Sequence, residues 1–180
     1  MTVLAKTAIL LGVAIILLNA PCILSPKTIR ECIKRFPRSK PAGWFLTAVD
    51  LVWSVWLLHN IDFGRFEQFK PLLYWLTPVV FFLIIFLMDE LLAPRALGGL
   101  FLLVPAPLLT VARWHRSEMR LVIVVLAYAL VIAGMILVLS PYQFRKANAL
   151  WIEDDKLCKT VGAVGVVLGA FVVLLGTTAF

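Results

Sequence analysis

Long apolar runs separated by short polar links recur from one end of the sequence to the other. Each run is close to the roughly 20 residues that an α-helix needs to cross the hydrocarbon core of a bilayer. The pattern therefore predicts an all-α integral membrane protein, with about six transmembrane helices in a single polytopic domain that covers residues 1–180. The predicted spans are 7–24, 43–60, 71–88, 96–112, 121–140 and 161–180.

The fourth span is the least regular, because it contains Gly98 and Gly99 and, further along, Pro105 and Pro107. Proline has no backbone N–H and interrupts the hydrogen bonds of a helix. Neighbouring helices in a bundle can satisfy the backbone groups that are freed in this way. We expect the segment to cross as a broken helix. A re-entrant loop that enters and leaves on one side is the open alternative.

The link after the first span predicts a short helix near 26–36. Ser25 is a suitable N-cap, and Pro26 fits the first helical position. Apolar residues then recur with helical spacing, while basic residues occupy the other faces. We expect this amphipathic helix to lie in the plane of the lipid head groups. Its apolar positions are Ile29, Cys32, Ile33 and Phe36.

The composition agrees with a membrane location. Hydrophobic residues make up 62% of the chain and charged residues 15%, whereas soluble domains average about 45–50% and about 25%. The formal charge of +7 comes from basic residues between the apolar runs, where Lys and Arg face lipid head groups. We therefore expect the lipid bilayer as a partner, with anionic head groups at the basic cluster of residues 27–40, and no binding of nucleic acid.

The distribution of Lys and Arg predicts the orientation, because cytoplasmic links of membrane proteins are enriched in both. With the N-terminus outside, the cytoplasmic side receives six Lys/Arg from the link 25–42, Arg95, and four from the link 141–160. We expect this topology in a bacterial cytoplasmic membrane. If the fourth segment is re-entrant, the link 25–42 stays cytoplasmic and the link 141–160 moves outside.

Asp50 is the first candidate for a functional residue. A carboxylate about halfway along a span costs several kcal/mol unless it is protonated, paired or hydrated. Helical spacing places Thr47, Asp50 and Ser54 on one face, which makes them a candidate intramembrane polar site. Two interpretations stay open. The site could bind a proton or a cation, or the acid could lock the packing of two helices.

The second candidate is a junction site formed by Asp89, Glu90 and Arg95, between the third and fourth spans. A pocket at the bilayer edge that joined these residues could act on a lipid or another membrane-borne substrate. The alternative is a helix junction, in which the acids lie favourably near the N-terminus of the next helix.

Cofactors and metals are not expected. His59 and His115 are the only histidines, which excludes zinc sites with three histidine ligands. Two histidines would be enough to ligate a haem, but their number is the sole feature in favour of one. The sequence also contains no G-x-S-x-G, no phosphate-binding glycine loop and no H-E-x-x-H.

The function expected from these features is that of a non-enzymatic accessory subunit or a small helix-packing scaffold. Small residues with helical spacing let helix backbones approach in a bilayer. The same spacing serves an internal bundle, a membrane-protein partner or a homo-oligomer. The alternatives are a small transporter or channel-like protein that uses Asp50, and an enzyme with a site at the junction. The small pairs are Ala8/Gly12, Ala129/Ala133 and Gly165/Gly169.

Overall fold

The computed structural model describes residues 2–62, 64–88, 91–114, 117–152 and 154–178. Within these ranges the regular secondary structure is helical and contains no strand. Six helices are long and apolar enough to cross a membrane, which confirms the predicted helical class and number of apolar helices. The helices are α1 Val3–Leu24, α2 Pro26–Arg35, α3 Lys40–His59, α4 Lys70–Leu87, α5 Leu92–Leu103, α6 Pro105–Arg113, α7 Arg120–Leu139, α8 Tyr142–Ile152 and α9 Asp155–Thr178.

Several long helices begin earlier than the apolar runs do, because polar side chains cap their first turns. The Thr2 hydroxyl accepts a hydrogen bond of 3.1 Å from the backbone N–H of Ala5 at the start of α1. Ser39 accepts one of 3.4 Å from Ala42 at the start of α3. Such caps satisfy N–H groups that have no partner inside the helix. Helix α9 begins at Asp155, six residues before its predicted span.

The fourth span is a broken helix, made of α5 and α6. Val104 alone separates the two parts, and it keeps right-handed helical angles (φ −55°, ψ −40°) while its N–H donates to Leu100 at 3.0 Å. The chain therefore continues in the same direction, which is not the reversal that a re-entrant loop needs. Pro105 and Pro107 account for the break, because neither can donate a backbone hydrogen bond.

Two antiparallel helix pairs form the centre of the bundle. Helix α1 packs on α9, and α7 packs on α5 and α6. A cluster of buried residues joins the two pairs, since it draws on α1, α6, α7 and α9. Helix α3 packs parallel to α5, with Gly43 beside Leu92 and Ala93. The members of the central cluster are Ala8, Leu108, Ile123, Ala127 and Val172.

Helix α4 lies at the edge of the bundle. It packs mainly against α3, in antiparallel orientation, and none of its residues is buried. A hydrogen bond of 2.8 Å between the Tyr74 hydroxyl and Nδ1 of His59 joins the two helices at the end where α3 finishes. The periphery is thus an apolar helix with most of its surface uncovered.

The links 25–42 and 141–160 meet at one end of the bundle, which we call the basic end. Helix α2 forms over Pro26–Arg35, close to the predicted 26–36, and a short turn at Phe36–Arg38 leads into α3. The second link was expected to be a polar connection, but it forms α8 over Tyr142–Ile152. The rings of Phe36 and Phe144 lie 5.4 Å apart between their centroids and hold the two links together.

Candidate functional site

The predicted polar site lies on the face of α3 that packs against α5. Thr47 is buried, with 5% of its surface exposed, while Asp50 and Ser54 are half-buried. Gly99 on α5 makes room for the carboxyl group of Asp50. A Cβ atom at Gly99 would lie 2.7 Å from Oδ2 of Asp50, which is closer than a Cβ atom comes to a neighbouring atom in real structures. The missing side chain at Gly99 is therefore what lets Asp50 enter this helix interface.

Several buried polar atoms of this helix pair have no hydrogen-bond partner in the part of the chain that the structure describes. They are Oγ1 of Thr47, Oδ1 of Asp50, Nε1 of Trp53 and Nε of Arg95. Buried polar atoms are nearly always hydrogen-bonded, and an unsatisfied one costs about 1–3 kcal/mol. The α3–α5 interface thus concentrates unsatisfied polar groups. The sequence indicated Asp50 and Thr47 as a polar site, which did not include the indole of Trp53.

The apolar grooves beside α3 are separate from the carboxyl group of Asp50. One groove, of about 430 Å³, lies between α3 and α4 and is lined by Leu51, Val55 and Phe81 among others. The other, of about 490 Å³, is lined by Trp53, Trp56 and neighbouring apolar side chains. Asp50 lines neither groove. Its carboxyl group lies against α5, on the inner side of α3.

The predicted junction site can be placed only in part. Asp89 and Glu90 lie outside the described residues, so the structure gives no relation between them and Arg95. Arg95 is in the first turn of α5 and is half-buried. The residue before this helix, Leu91, has a left-handed backbone with φ 56°, which is rare for a residue other than glycine. The chain therefore turns sharply into α5.

The structure gives no support for a metal centre in the ranges it describes. No group of three or more His, Cys, Asp and Glu residues comes together there in a way that could hold a metal ion. His59 is exposed at the end of α3 and contacts Tyr74. His115, the other histidine of the two-ligand haem arrangement, lies outside the described residues.

A cavity at the basic end was missed by sequence reasoning. It has a volume of about 670 Å³ and lies between the α2 region and α8. Basic residues of both links line it, together with tyrosine, phenylalanine and asparagine side chains. The signal in the sequence was the basic character of both links, but their convergence on one space requires the fold. The lining residues are Ile33, Lys34, Pro37, Arg38, Tyr142, Phe144, Arg145, Lys146, Asn148 and Ala149.

The structure therefore offers two regions with chemical character, the polar α3–α5 interface and the cavity at the basic end. No protein-family model, curated protein or solved structure matches this chain.

Proposed function

We propose that the chain is an integral protein of a bacterial cytoplasmic membrane, and that its six long apolar helices cross the bilayer. Large apolar side chains are exposed on these helices, among them Leu10, Trp75 and Phe86 at 72%, 79% and 78%. Apolar surface on this scale suits lipid tails and not water. We further propose that the N-terminus is outside and the link 25–42 is cytoplasmic. The meeting of both basic links at one end of the bundle supports this orientation.

The role we propose is non-enzymatic, that of an accessory subunit or a small helix-packing scaffold. The observation that carries this proposal is helix α4, which has no buried residue although it is long and apolar enough to cross a membrane. In a bilayer, helices associate through close packing and polar contacts, because lipid tails are as apolar as the side chains. A peripheral helix with free faces can pack against another membrane protein or a second copy of the chain.

The burial of the predicted small residues indicates which helix faces a partner would contact. Ala8 and Gly12 are buried, and Gly169 contacts Gly12 and Ile16, so these positions are used inside the bundle. Ala129 on α7 is exposed and Ala133 is half-buried. Of these small residues only Ala129 is exposed, so we propose the faces of α4 and of Ala129 on α7 as the ones a partner binds.

Site-specific photo-crosslinking tests this role. A photoreactive phenylalanine analogue replaces Phe82 on α4, which is 57% exposed, and in a control chain it replaces Leu10 on α1, which is 72% exposed. We expect a protein adduct of one defined mass from position 82 in intact membranes, and only lipid adducts from position 10. Lipid adducts alone from both positions would reject a scaffold that uses α4.

The substitution Asp50→Asn tests whether Asp50 serves helix packing, as the scaffold role requires, or proton-coupled transport. If Asp50 serves packing, its amide analogue fills the same space against Gly99. We expect insertion, folding and the crosslink from position 82 to stay nearly unchanged. A proton-coupled phenotype that follows this single substitution would reject the scaffold and favour transport.

A small transporter or channel-like protein is the second candidate. The observation in its favour is the set of unsatisfied polar atoms at Thr47, Asp50 and Trp53, which faces a helix that breaks at Pro105. Broken helices and polar groups at mid-depth are typical of translocation sites. A charged, water-soluble thiol reagent tests it in an Asp50→Cys chain that also carries Cys32→Ser, because Cys32 is exposed. Transport predicts labelling at position 50, and an unreactive thiol there contradicts it.

A further inference from the structure

Positive charges from two distant parts of the chain converge on the cavity at the basic end. Lys34 and Arg38 come from the first link, and Arg145 and Lys146 come from α8. Among the lining residues that the structure describes, none carries a carboxylate. A neighbouring cavity of about 380 Å³ shares Pro37, Arg38 and Arg145 with the first and adds Ser39 and Lys40. The two arginines therefore stand where the cavities adjoin.

Three acidic residues that the structure describes near this end of the bundle have other partners. Glu31 pairs with Arg35 on the outer side of α2, at 3.6 Å. Asp155 pairs with Arg30. Asp154 accepts a hydrogen bond of 2.9 Å from the backbone N–H of Lys156. The partners that the structure shows for these three acids therefore do not include the four cations that line the cavity.

The four cations that line the cavity form no ion pair or side-chain hydrogen bond with any described residue of the chain. Like charges around one space repel each other, and the repulsion is relieved when an anion lies between them. The arrangement thus favours a negatively charged ligand more strongly than the same number of cations spread over a surface would.

The walls of this cavity are held in place by contacts that need no ligand. The ring contact of Phe36 with Phe144 joins the first link to α8, and the pair of Arg30 with Asp155 ties α2 to the start of α9. Pro37, which also lines the cavity, is buried. The helices that carry the four cations are therefore already in place, and binding has to order only the exposed side chains of the cations themselves.

We propose that this cavity binds a phosphate group, carried either by an anionic phospholipid head group or by a small soluble phosphate. The guanidinium group of arginine forms paired hydrogen bonds with phosphate oxygens. Arg38 and Arg145 both line this cavity and supply two such groups. Ile33 and Phe144 give the wall an apolar part, which suits the glycerol and upper acyl carbons of a lipid. The volume of about 670 Å³ is within the usual range of ligand pockets.

Lipid binding by the purified 180-residue chain tests the proposal. The protein in neutral detergent receives phosphatidic acid, phosphatidylglycerol or phosphatidylcholine, and native mass spectrometry counts the bound lipids. Calorimetry with inorganic phosphate measures the soluble source separately. We expect the anionic lipids to bind about tenfold more tightly than phosphatidylcholine, the effect of roughly one charge-assisted contact. Displacement of lipid by inorganic phosphate would favour the soluble source, and lipid binding alone would favour the head group.

A matched pair of double variants separates the cavity from general surface charge. The double variant Arg38→Gln, Arg145→Gln removes the two guanidinium groups that line both cavities. Arg35→Gln with Lys159→Gln removes the same charge from the same two links at exposed positions that line neither cavity. We expect only the first variant to lose the preference for anionic lipid. An equal loss in both variants, no loss in the first, or no binding of any phosphate to the unmodified chain overturns the proposal.

The proposal that the cavity binds a phospholipid rests on the membrane location proposed above, and separate experiments test the lipid binding and the location. Extraction of membranes with alkaline carbonate reports whether the protein is inserted. An inserted protein without the lipid preference rejects the phosphate site and leaves the membrane location standing, whereas a protein released by carbonate rejects the location.

Discussion

The α1–α9 pair and the α3–α4 pair are both antiparallel and both apolar, yet they pack differently. In the first pair the backbones touch. A Cβ atom at Gly12 would lie 2.7 Å from the carbonyl oxygen of Gly169, and one at Gly169 would lie 2.8 Å from that of Gly12. In the second pair a groove of about 430 Å³ separates parts of the helices, and α4 contains no glycine.

This difference shows that apolarity does not decide which helices of the bundle are buried. Helix α4 is long and apolar enough to cross a membrane, as α1 is, but it buries no residue. Between apolar helices in lipid there is no hydrophobic gain, so close contact depends on small residues that let backbones approach. Glycines at four positions of α9 supply that contact with α1, and nothing equivalent exists on α4. These glycines are Gly162, Gly165, Gly169 and Gly176.

The largest effect is expected from Gly169→Leu, which breaks the close pair. Its new Cβ would meet Cγ1 of Ile16 at 2.7 Å as well as the backbone of Gly12, and the backbone contact cannot move aside. We expect the free energy of unfolding to fall by about 3 kcal/mol or more, the upper range for overpacking. Tryptophan fluorescence during unfolding in mixed micelles measures it.

The control for this substitution is the next residue along α9. Ala170 is exposed, so Ala170→Leu introduces the same side chain where nothing is displaced, and we expect a change within about 0.5 kcal/mol. Similar losses at both positions would mean that the glycine contact is not what holds α1 and α9 together.

A smaller effect is expected when one valine of each helix pair is replaced by alanine. Val172 on α9 is completely buried and Val79 on α4 is 57% exposed. We expect Val172→Ala to lower the free energy of unfolding by about 1–2 kcal/mol through lost packing, and Val79→Ala to change it by less than about 0.5 kcal/mol. The same micelle unfolding compares the two. A larger loss at Val79 would contradict the assignment of α4 to the periphery.

The sequence predicted the six apolar helices because length and hydrophobicity are local properties. It placed several starts late, since Thr2 and Ser39 cap first turns that begin before the predicted spans. Helix α8 was missed because its mixture of aromatic and basic residues has no clear helical period. The partners of the helices could not be predicted. Ala129 and Gly169 both belong to small pairs of the same spacing, but the first is exposed and the second is buried.

For the candidate site too, the local feature could be predicted from the sequence and the contacts between helices could not. Asp50 stands out in the sequence because it is an acid inside an apolar run. Its contact with Gly99 depends on the parallel packing of α3 and α5, which no local pattern encodes. The cavity at the basic end could not be predicted for the same reason, since Arg38 and Arg145 meet there only in the folded chain.

The contact between Asp50 and Gly99 allows a sharper test of α3, which packs closely on α5 and loosely on α4. Gly99→Ala adds a methyl group that meets the carboxyl group of Asp50, although alanine also favours the helix by about 1 kcal/mol. We expect it to destabilise the protein only while Asp50 is present. In an Asp50→Ala background the same change should stabilise it, with a coupling of about 1–2 kcal/mol.

A double-mutant cycle of the four chains, unfolded in the same micelles, measures this coupling. Additive effects, with a coupling near zero, would show that Asp50 does not occupy the space beside Gly99. Gly43→Ala serves as a comparison on the same helix pair, because its new Cβ would meet Leu92 and Ala93 instead of the carboxyl group. Its effect should not depend on Asp50.

The smallest effect is expected from the ion pair of Arg30 with Asp155, which joins α2 to the glycine-rich α9. The two side chains are 23% and 45% exposed, so water screens their attraction, and pairs of this kind contribute about 0–1 kcal/mol. We expect Arg30→Gln and Asp155→Asn, combined in a cycle, to show a coupling in that range that falls as salt is added. A coupling unaffected by salt would indicate that the pair is shielded from solvent.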